Sequence, residues 1–584
     1  SDGSYAVVSS TKGPLGRSGT IRGAGGDGHI GAASNAGADA MRTWGVDGLE
    51  DELKEAEAVG LKVSAGIWMP HEKAMYENCS DMDADPAWQA ELARYVKAVR
   101  KYKNSSGILW WTVGNEIETE TAVTLGSECT WRRLEWAVQA VKREDPDHPV
   151  GTVIAGPHVP KIRLIGQFAP SLDFLGINAY GEESLLVGRN CLKANFTKPY
   201  AIMEFGPSGH WIAPLTEWGA IIEESSSEKV PRYNATCHMC QDDPRCLGAF
   251  AFVWGWKWEK TGTWYGLFNE WPEVTQGVAV TCPSCMSEVM ETLETCWTGK
   301  HRAVRPATID SISVDDVVLP DMSFVVPRRE DIVLRANATH PLGRDLVALW
   351  GVTDDKLSDA IGGAHESTKP LLTGVWPGGA NTGTGLSVVL DTSKLPVGAE
   401  YRMYLFVRQD PRSCGNACQN EEAVASLPFR ICHTAVEGEV CHRHVSYILE
   451  IGLKREIARY PGLSATSSFE DVQMFLYQRG RGGCPLPCGV RGRCRTSRRG
   501  EDCYGHVRWL MELVKKQPML YAESLRGASF EATQNYINSK RDGICPPACA
   551  EGYQSEDFDD GDPMTTTTVT STVKTSSVAK DVMT

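Results

Sequence analysis

Short apolar runs alternate with amphipathic stretches from residue 18 to residue 303. The amphipathic stretch Pro86–Tyr102 has its apolar residues at helical spacing and begins behind Asp85, a favourable N-cap. A further helix is expected over Ser284–Trp297. Eight β/α units in ~300 residues predict a (β/α)8 barrel. The apolar runs, rich in β-branched residues, predict strands at Thr20–Gly23, Ala40–Trp44, Leu61–Trp68, Ile108–Val113, Val150–Ala155, Phe174–Asn178, Tyr200–Glu204 and Ala249–Trp254.

The pattern changes after the barrel. Residues 306–431 show the two-residue alternation of strands between Pro, Gly and Asp turns, at Asp331–Ala336, Leu386–Leu390 and Tyr401–Val407. This alternation predicts a β-sandwich. With Gly398-x2-Tyr401-Arg-Met-Tyr404 as a late strand, it resembles an immunoglobulin-like accessory domain. Residues 1–17 form a short N-terminal segment, and residues 550–584 end in a Thr/Ser-rich tail that we expect to be disordered or a linker.

A tandem repeat lies between the sandwich and the tail. Its cysteine spacing occurs twice, Cys432-x8-Cys441 matching Cys494-x8-Cys503 and Cys484-Pro-x2-Cys488 matching Cys545-Pro-x2-Cys549. Other residues repeat at the same offset, including His444-Val445 with His506-Val507 and Phe469-Glu470 with Phe530-Glu531. We expect two small helical modules held by disulfides, at 432–488 and 494–549.

Composition and charge narrow the class of protein. The 584 residues carry 59 Lys and Arg against 74 Asp and Glu, a net charge of −15, which disfavours nucleic acid as a partner. No apolar run approaches the ~20 residues of a membrane-spanning helix. The 19 cysteines and five N-x-Ser/Thr sequons indicate a secreted or cell-wall protein. The sequence begins at Ser1 without a signal peptide, as a mature or truncated product would.

Two glutamates carry the candidate chemistry. Glu116 follows the predicted fourth strand, and Glu204 ends the seventh. Reactive groups of a (β/α)8 barrel lie at the carboxyl ends of its strands. Two carboxylates facing each other across the barrel mouth suit glycosidic bond cleavage, in which one protonates the leaving oxygen and the other attacks carbon or activates water.

With these motifs in order, residues 18–300 resemble a clan A glycoside hydrolase, close to the family 2 catalytic barrels. The resemblance implies Glu116 as acid/base, Glu204 as nucleophile and Asn115 as a ligand of the sugar 2-hydroxyl. It also implies that Arg42 and Tyr180 bind the nucleophile and that Trp254 forms the floor of the reactive subsite. Clan A enzymes retain anomeric configuration, so we expect carboxyl groups ~5–5.5 Å apart.

Further residues near strand ends are candidates for sugar contact, with loop bracing an equal alternative. They are Asp27, His29, His71, Glu72 and His158. Five tryptophans provide either stacking surfaces for sugar or core packing, and we expect core packing for two or three of them. These are Trp44, Trp68, Trp256, Trp258 and Trp264.

The barrel cysteines allow two interpretations. Cys237-x2-Cys240 and Cys282-x2-Cys285 have zinc-like spacing, but the 41-residue spacer between them contains a strand, so disulfides are favoured and no metal or cofactor is expected. Nine cysteines cannot all pair within the barrel. Cys246 is the candidate for the buried thiol.

The sequence therefore predicts a retaining β-glycosidase whose substrate is a β-linked glycan, with a β-glucan favoured. A β-glucanosyltransferase is the alternative among enzymes, since it uses the same two glutamates. A catalytically inactive carbohydrate-binding or wall protein is the alternative outside enzymes. The chain differs from family 2 because only residues 1–17 precede the barrel, where that family has β-sandwich domains. The terminal repeats resemble cysteine-rich modules of dinoflagellate and other algal proteins.

Overall fold

The computed structural model divides into two compact units. The first comprises residues 1–493 with 512–526, and the second comprises 494–511 with 527–584. The structure describes residues 21–25, 30–77, 79, 85–118, 125–216, 218–269, 285–301, 305–319, 322–355, 369–410, 421–488, 497, 502–516, 528–539 and 545. Asp27, His29 and Cys282 lie outside the described residues.

The first unit contains a closed barrel of eight parallel strands in sequential order, which confirms the predicted fold. β1 closes the ring by pairing with both β2 and β8. The strands are β1 (Ile21–Gly25), β2 (Ala40–Arg42), β3 (Lys62–Ile67), β4 (Ile108–Asn115), β5 (Val150–Ala155), β6 (Phe174–Asn178), β7 (Tyr200–Phe205) and β8 (Cys246–Phe252).

Helices surround the barrel, and local capping fixes where several of them begin. Asp85 accepts hydrogen bonds from the backbone N–H groups of Ala87 and Trp88, both at 3.1 Å, so the helix begins at Pro86. Ser127 and Ser225 form capping boxes at two others. The barrel helices are Ile30–Asn35, Leu49–Ala58, Pro86–Tyr102, Glu128–Glu144, Val159–Phe168, Val187–Lys193, Ser226–Asp242 and Glu288–Thr298.

Neighbouring residues of one strand supply two different cores. Trp110 points into the barrel, where it packs on Phe174 and Phe250 with ring centroids 4.7 and 6.1 Å apart. Trp111 points outward into the larger core between the strands and the helices. The side-chain alternation of a β-strand therefore fills the barrel interior and anchors its helices at the same time.

A β-sandwich follows the barrel, as predicted. One sheet has the order β16-β15-β18-β19-β10-β9 with β13 beside β19, and the other has the order β12-β11-β14-β17. The strands are β9 (Phe268–Asn269), β10 (Cys285–Ser287), β11 (Thr308–Val314), β12 (Val317–Val318), β13 (Phe324–Pro327), β14 (Ile332–Thr339), β15 (Leu346–Asp354), β16 (Gly383–Thr384), β17 (Ser387–Leu390), β18 (Glu400–Gln409) and β19 (Glu421–Cys432).

Barrel and sandwich share a sheet and a buried polar network. β9 and β10 follow the last barrel strand, yet β10 pairs with β19 of the sandwich. At the junction, Glu223 accepts hydrogen bonds from Lys229 at 2.7 Å and from Ser426 at 2.8 Å. Arg402 donates to Ser426 Oγ and to the carbonyl of Ile221. These shared bonds fix the sandwich against the barrel.

Two cysteine-stapled modules have matching structures. Module 1 (residues 432–488) has helical segments Val440–Tyr447, Ile448–Gly452, Leu453–Arg455 and Phe469–Gln478, with disulfides Cys432–Cys488 and Cys441–Cys484. The described part of module 2 (residues 494–549) has helices Asp502–Lys516 and Phe530–Ser539 and the disulfide Cys503–Cys545.

Equivalent glutamines form the same hydrogen bond in the two modules. Gln473 Oε1 accepts from the N–H of Ala435 at 2.8 Å, and Gln534 Oε1 accepts from the N–H of Ser497 at the same distance. Cys441–Cys484 and Cys503–Cys545 are matching disulfides at the repeat's offset. The sequence repeat is therefore also a structural repeat.

The barrel cysteines confirm disulfides over zinc but correct one assignment. Cys237 bonds Cys296, and Cys240 bonds Cys246. Cys246 is therefore not the buried thiol: it begins β8 with its Cα 5.3 Å from that of Cys240, within bonding reach. Three described cysteines, Cys79, Cys129 and Cys191, are free thiols. Among the described residues, no helix is long and apolar enough to cross a bilayer.

Candidate active site

The two glutamates lie at the mouth of the barrel, on β7 and directly after β4. Glu204 is the fifth residue of β7, and Glu116 follows Asn115, the last residue of β4. Glu116 has a left-handed backbone with φ 53°, and its N–H donates to the carbonyl of Val153 on β5 at 2.8 Å. A non-glycine residue in that region is uncommon and turns the chain sharply at the strand end.

Three donors converge on the carboxylate of Glu204. Arg42 Nη1 and Trp44 Nε1 donate to Oε1 at 2.9 and 2.8 Å, and the Tyr180 hydroxyl donates to Oε2 at 2.5 Å. Glu204 is buried, and so is the guanidinium of Arg42. A cationic partner and two further donors fix the orientation of this buried carboxylate.

Arg42 also orients the residues around Glu204. Its Nη1 donates to the carbonyl of Met203 at 2.7 Å, and its Nη2 donates to Oδ1 of Asn115 at 2.7 Å. Because the guanidinium fork is planar, these bonds fix β2, β4 and β7 relative to one another at the barrel mouth. The structure thus places Arg42 and Tyr180 against Glu204, where the resemblance puts them, while the contact of Arg42 with Asn115 was not predicted.

Glu116 has a different environment. Its Oε1 accepts a hydrogen bond from a neutral group, the amide Nδ2 of Asn178, at 2.7 Å. Burial, and next the charge of Glu204, raise the pKa of Glu116 to about 7, while the Asn178 bond acts in the opposite direction. Near neutral pH this carboxyl group is therefore balanced between holding and releasing a proton, as a general acid/base requires.

Asn178 joins the two halves of the site. It pairs in register with Glu204 across β6 and β7, donates to Glu116, and accepts from Arg42 Nη1 at 3.3 Å. From the sequence, Asn178 was predicted only as the last residue of the sixth strand. Its position at the end of β6 was the available signal, because reactive side chains of this fold lie at strand ends.

A buried ion pair lies behind Glu116. Lys161 Nζ donates to Glu118 Oε1 at 2.8 Å and to the carbonyl of Ala155 at 2.7 Å, and both charged side chains are fully buried. The same oxygen of Glu118 accepts from the N–H of Ala155. The pair ties the loop after β4 to the end of β5, which supports the backbone that carries Glu116. Nothing in the local sequence pattern indicated it.

The predicted histidines His71 and His158 have different surroundings. His71 Nε2 forms a hydrogen bond with the backbone carbonyl of Asn115 at 2.8 Å, so His71 borders the site. Its ring stacks on Trp68 with centroids 4.7 Å apart. His158 lies at the end of β5 against Gly156, where an added Cβ would come within 2.6 Å of Nε2. The exposed Glu72 precedes a short turn of 3-10 helix.

The position of Trp254 differs from the one that the resemblance implies. Its side chain is fully buried in the layer between strands and helices, where it packs on Phe268 and Trp297 with centroids 5.5 and 6.0 Å apart. It therefore faces away from the carboxylates, because the chain turns after β8. Phe252 instead approaches the site residue Tyr180, with ring centroids 5.9 Å apart.

The five other tryptophans divide as expected between the site and the core. Trp44 contacts Glu204, and Trp68 lies exposed beside His71. Three pack internally: Trp264 bonds the carbonyl of Ser208, Trp258 packs on Tyr404 of the sandwich, and Trp256 bonds the carbonyl of Gly262.

Trp211, which contacts Tyr180, is a further candidate site residue that the sequence did not indicate. It follows β7, is 54% exposed, and meets the ring of Tyr180 edge-on with centroids 5.6 Å apart. Trp68 follows β3 and is 42% exposed. Since β3 and β7 are four strands apart in a ring of eight, the two exposed indoles lie on opposite rims of the barrel mouth.

Comparison with known proteins finds distant structural neighbours. No family model and no curated protein matches this chain. Bacteroides uniformis β-glucuronidase aligns with TM-score 0.35 and 12% identity, over 71% of this chain and 46% of that one. Dictyoglomus thermophilum β-D-glucuronidase aligns with TM-score 0.35 and 15% identity, over 48% and 51%. Endo-1,4-β-mannanase from Eisenia fetida aligns with TM-score 0.28 and 15% identity, over 40% and 78%. These neighbours are glycoside hydrolases, and this chain spans about half the length of the glucuronidases.

Proposed function

We propose that this protein is a retaining glycoside hydrolase that cleaves a β-linked glycan, with Glu204 as nucleophile and Glu116 as acid/base. The observation that carries the proposal is the asymmetry between the two carboxyl groups. Glu204 accepts bonds from Arg42, Trp44 and Tyr180, whereas Glu116 accepts a bond from the neutral amide of Asn178 and has its pKa raised to about 7 by burial and by the charge of Glu204. Environments that separate two carboxyl groups in this way assign one to each role.

In the first step, the Glu204 carboxylate attacks the anomeric carbon and the bond from that carbon to the leaving oxygen breaks. Glu116 gives its proton to the leaving oxygen, which departs as an alcohol. As the Glu204 carboxylate becomes a neutral ester, Arg42 and Tyr180 hold the carboxyl group in place. The product of this step is a glycosyl ester on Glu204 and an ionised Glu116.

In the second step, Glu116 takes a proton from a water molecule whose oxygen attacks the same carbon. The ester bond breaks, Glu204 returns to its carboxylate form, and Glu116 is protonated again. Two inversions give net retention. Asn115 is positioned to meet the sugar because Arg42 holds its Oδ1 at 2.7 Å and thereby fixes its side chain.

The substrate that we favour is a chain of sugar units, with a β-glucan as the leading case. Support comes from Trp68 and Trp211, which offer flat apolar surfaces on opposite rims of the mouth. Sugar rings present apolar C–H faces that pack on such surfaces. We also propose an extracellular location, which the disulfides of barrel and modules favour.

Substitution of each carboxyl group, with stereochemical readout, tests the proposal. Glu204→Ala should abolish turnover of aryl β-glycosides and β-1,3, β-1,4 and β-1,6 glucans and mannan. Glu116→Ala should hydrolyse substrates with poor leaving groups slowly. Added azide should restore part of the rate, and the product should then be the β-glycosyl azide. Proton NMR of wild-type reactions should show the β-anomer first, and chromatography should separate hydrolysis products from transfer products.

The matched control is Glu182→Ala, which removes an exposed carboxylate after β6 that pairs with Arg232. This variant should keep wild-type activity. Full activity of either Glu116→Ala or Glu204→Ala, or initial release of the α-anomer, would contradict the proposal.

A further inference from the structure

In the described part of the chain, exposed Trp and Tyr side chains occur at the barrel mouth and on the two modules. Four Trp or Tyr side chains are exposed there. Trp68 and Trp211 border the barrel mouth, while Tyr447 of module 1 and Trp509 of module 2 are 55% and 63% exposed. A large exposed ring contributes little to the core of its own module and is therefore available as a contact surface.

Tyr447 and Trp509 occupy equivalent positions in the two copies of the repeat. The offset of 62 residues that relates Cys441 to Cys503 also relates Tyr447 to Trp509. Burial follows the same register, because Val445 and its counterpart Val507 are both fully buried beneath the exposed rings. The rings therefore lie on the outer face of matching helices, opposite the module cores.

The exposed face of the helix has an aromatic ring and an imidazole in both modules, while another residue on it differs. Between the two copies Ser446 is replaced by Arg508. A histidine remains one helical turn before each ring, and both His444 and His506 are exposed. Each module thus presents a flat ring with a hydrogen-bonding imidazole beside it.

We propose that each module binds a sugar unit of a glycan chain on this face. The ring of Tyr447 or Trp509 packs on the C–H face of a pyranose, and the neighbouring His444 or His506 exchanges hydrogen bonds with its hydroxyl groups. A ring bordered by a polar residue suits a sugar, which is apolar on its faces and polar at its edges. A protein partner needs a larger contiguous apolar patch.

Duplication fits a polymeric ligand. One ring and one imidazole give weak binding, but two modules on one chain raise the overall affinity for a repeating ligand through effective concentration. The rings belong to the modules and not to the barrel fold, so the inference goes beyond the proposed hydrolysis. Its test does not depend on turnover.

Affinity electrophoresis of the full chain tests this inference. All proteins carry Glu204→Gln so that the ligand persists, and native gels contain laminarin, hydroxyethylcellulose or galactomannan. Tyr447→Ala and Trp509→Ala should each weaken retardation in one of these gels by at least about tenfold in apparent Kd. The double variant should lose retardation further, because both stacking surfaces are gone.

Two control sets separate stacking from folding. Tyr447→Phe and Trp509→Phe keep an aromatic ring and should keep most of the retardation, whereas Ile457→Ala removes an exposed apolar side chain of module 1 and should change nothing. Equal retardation of the Glu204→Gln parent and the double alanine variant would overturn the inference and favour a protein contact for these rings. Absence of retardation of the parent in all three gels would overturn it too.

Discussion

The side-chain amide of Asn178 donates to Glu116 at 2.7 Å, and Asn178 itself pairs in register with Glu204. One residue of β6 therefore connects the two carboxyl groups. Its donor favours the ionised form of Glu116 and opposes the burial and the negative charge that raise the pKa of this group to about 7. Asn178 thus orients Glu116, the proposed acid/base, and opposes the rise of its pKa.

Asn178→Ala should shift the pH profile as well as lower the rate. Loss of a donor to the carboxylate raises the pKa of Glu116 further, so the basic limb of kcat/KM should move to higher pH. The rate at the optimum should fall by about tenfold to a hundredfold, because a positioning bond is lost. The pH dependence of aryl β-glycoside hydrolysis measures both effects.

Ser184→Ala is the control for Asn178→Ala. It removes a buried hydroxyl that bonds Gly181 and Thr236, close in sequence but away from the carboxyl groups. Its pH profile should match the wild type. A basic limb that stays in place in Asn178→Ala would contradict the role given to this amide.

The wild-type pH profile should have its basic limb near pH 7. Glu116 must hold a proton to act as acid, and its pKa of about 7 sets the pH at which that proton is lost. The same pKa also affects the stability of the protein. Because the pKa of this carboxyl group is higher in the folded than in the unfolded state, the free energy of unfolding falls as pH rises from about 4.5 to about 7. Glu116→Gln should therefore raise Tm more at pH 8 than at pH 5. Equal shifts at both pH values would contradict a raised pKa.

The contribution of the two rim tryptophans, Trp68 and Trp211, to kcat/KM should increase with the length of the substrate. Trp211→Ala and Trp68→Ala remove exposed rings on opposite rims, so their effect on kcat/KM should grow from disaccharide to hexasaccharide, up to about tenfold or more for each. The Trp→Phe variants should recover most of the loss, and Leu192→Ala, an exposed residue of an outer helix, should have no effect. Losses that are independent of chain length would contradict subsites on the rims.

Much of this architecture follows from local sequence. The helix Pro86–Tyr102 was predicted to the residue, because Asp85 caps it and its apolar spacing is regular. β5 and β6 were also predicted to the residue, because each is a short buried run between clear breaks. Strand ends then located Glu116 and Glu204, since the fold itself dictates where reactive groups lie.

Long-range geometry explains what the sequence did not reveal. Trp254 has a strand-end position, but the turn after β8 directs it into the outer core. Trp211 lies in a loop whose path no periodicity describes, and Lys161 meets Glu118 across 43 positions of the chain. Cys246 pairs with Cys240 because a helix ends beside β8. Each of these contacts depends on the assembled barrel and not on a local pattern.

The buried network between barrel and sandwich should be a major contributor to stability. Arg402 is 1% exposed, pairs with Asp355 at 2.7 Å, and donates to Ser426 and to the carbonyl of Ile221 in the barrel. Arg402→Ala leaves Asp355 buried without its cation, so the free energy of unfolding should fall by about 3–5 kcal/mol. Chemical denaturation followed by tryptophan fluorescence measures the change.

The control for Arg402→Ala is Arg459→Ala, which removes an exposed pair with Glu456 and should cost less than about 1 kcal/mol. Arg402→Met, which fills the same space without charge, should still destabilise, because Asp355 and the carbonyl of Ile221 both lose their donor. If Arg402→Ala and Arg459→Ala had equal effects, the junction would not depend on this network. Barrel and sandwich would then be held together by the shared sheet of β10 and β19 and its apolar contacts.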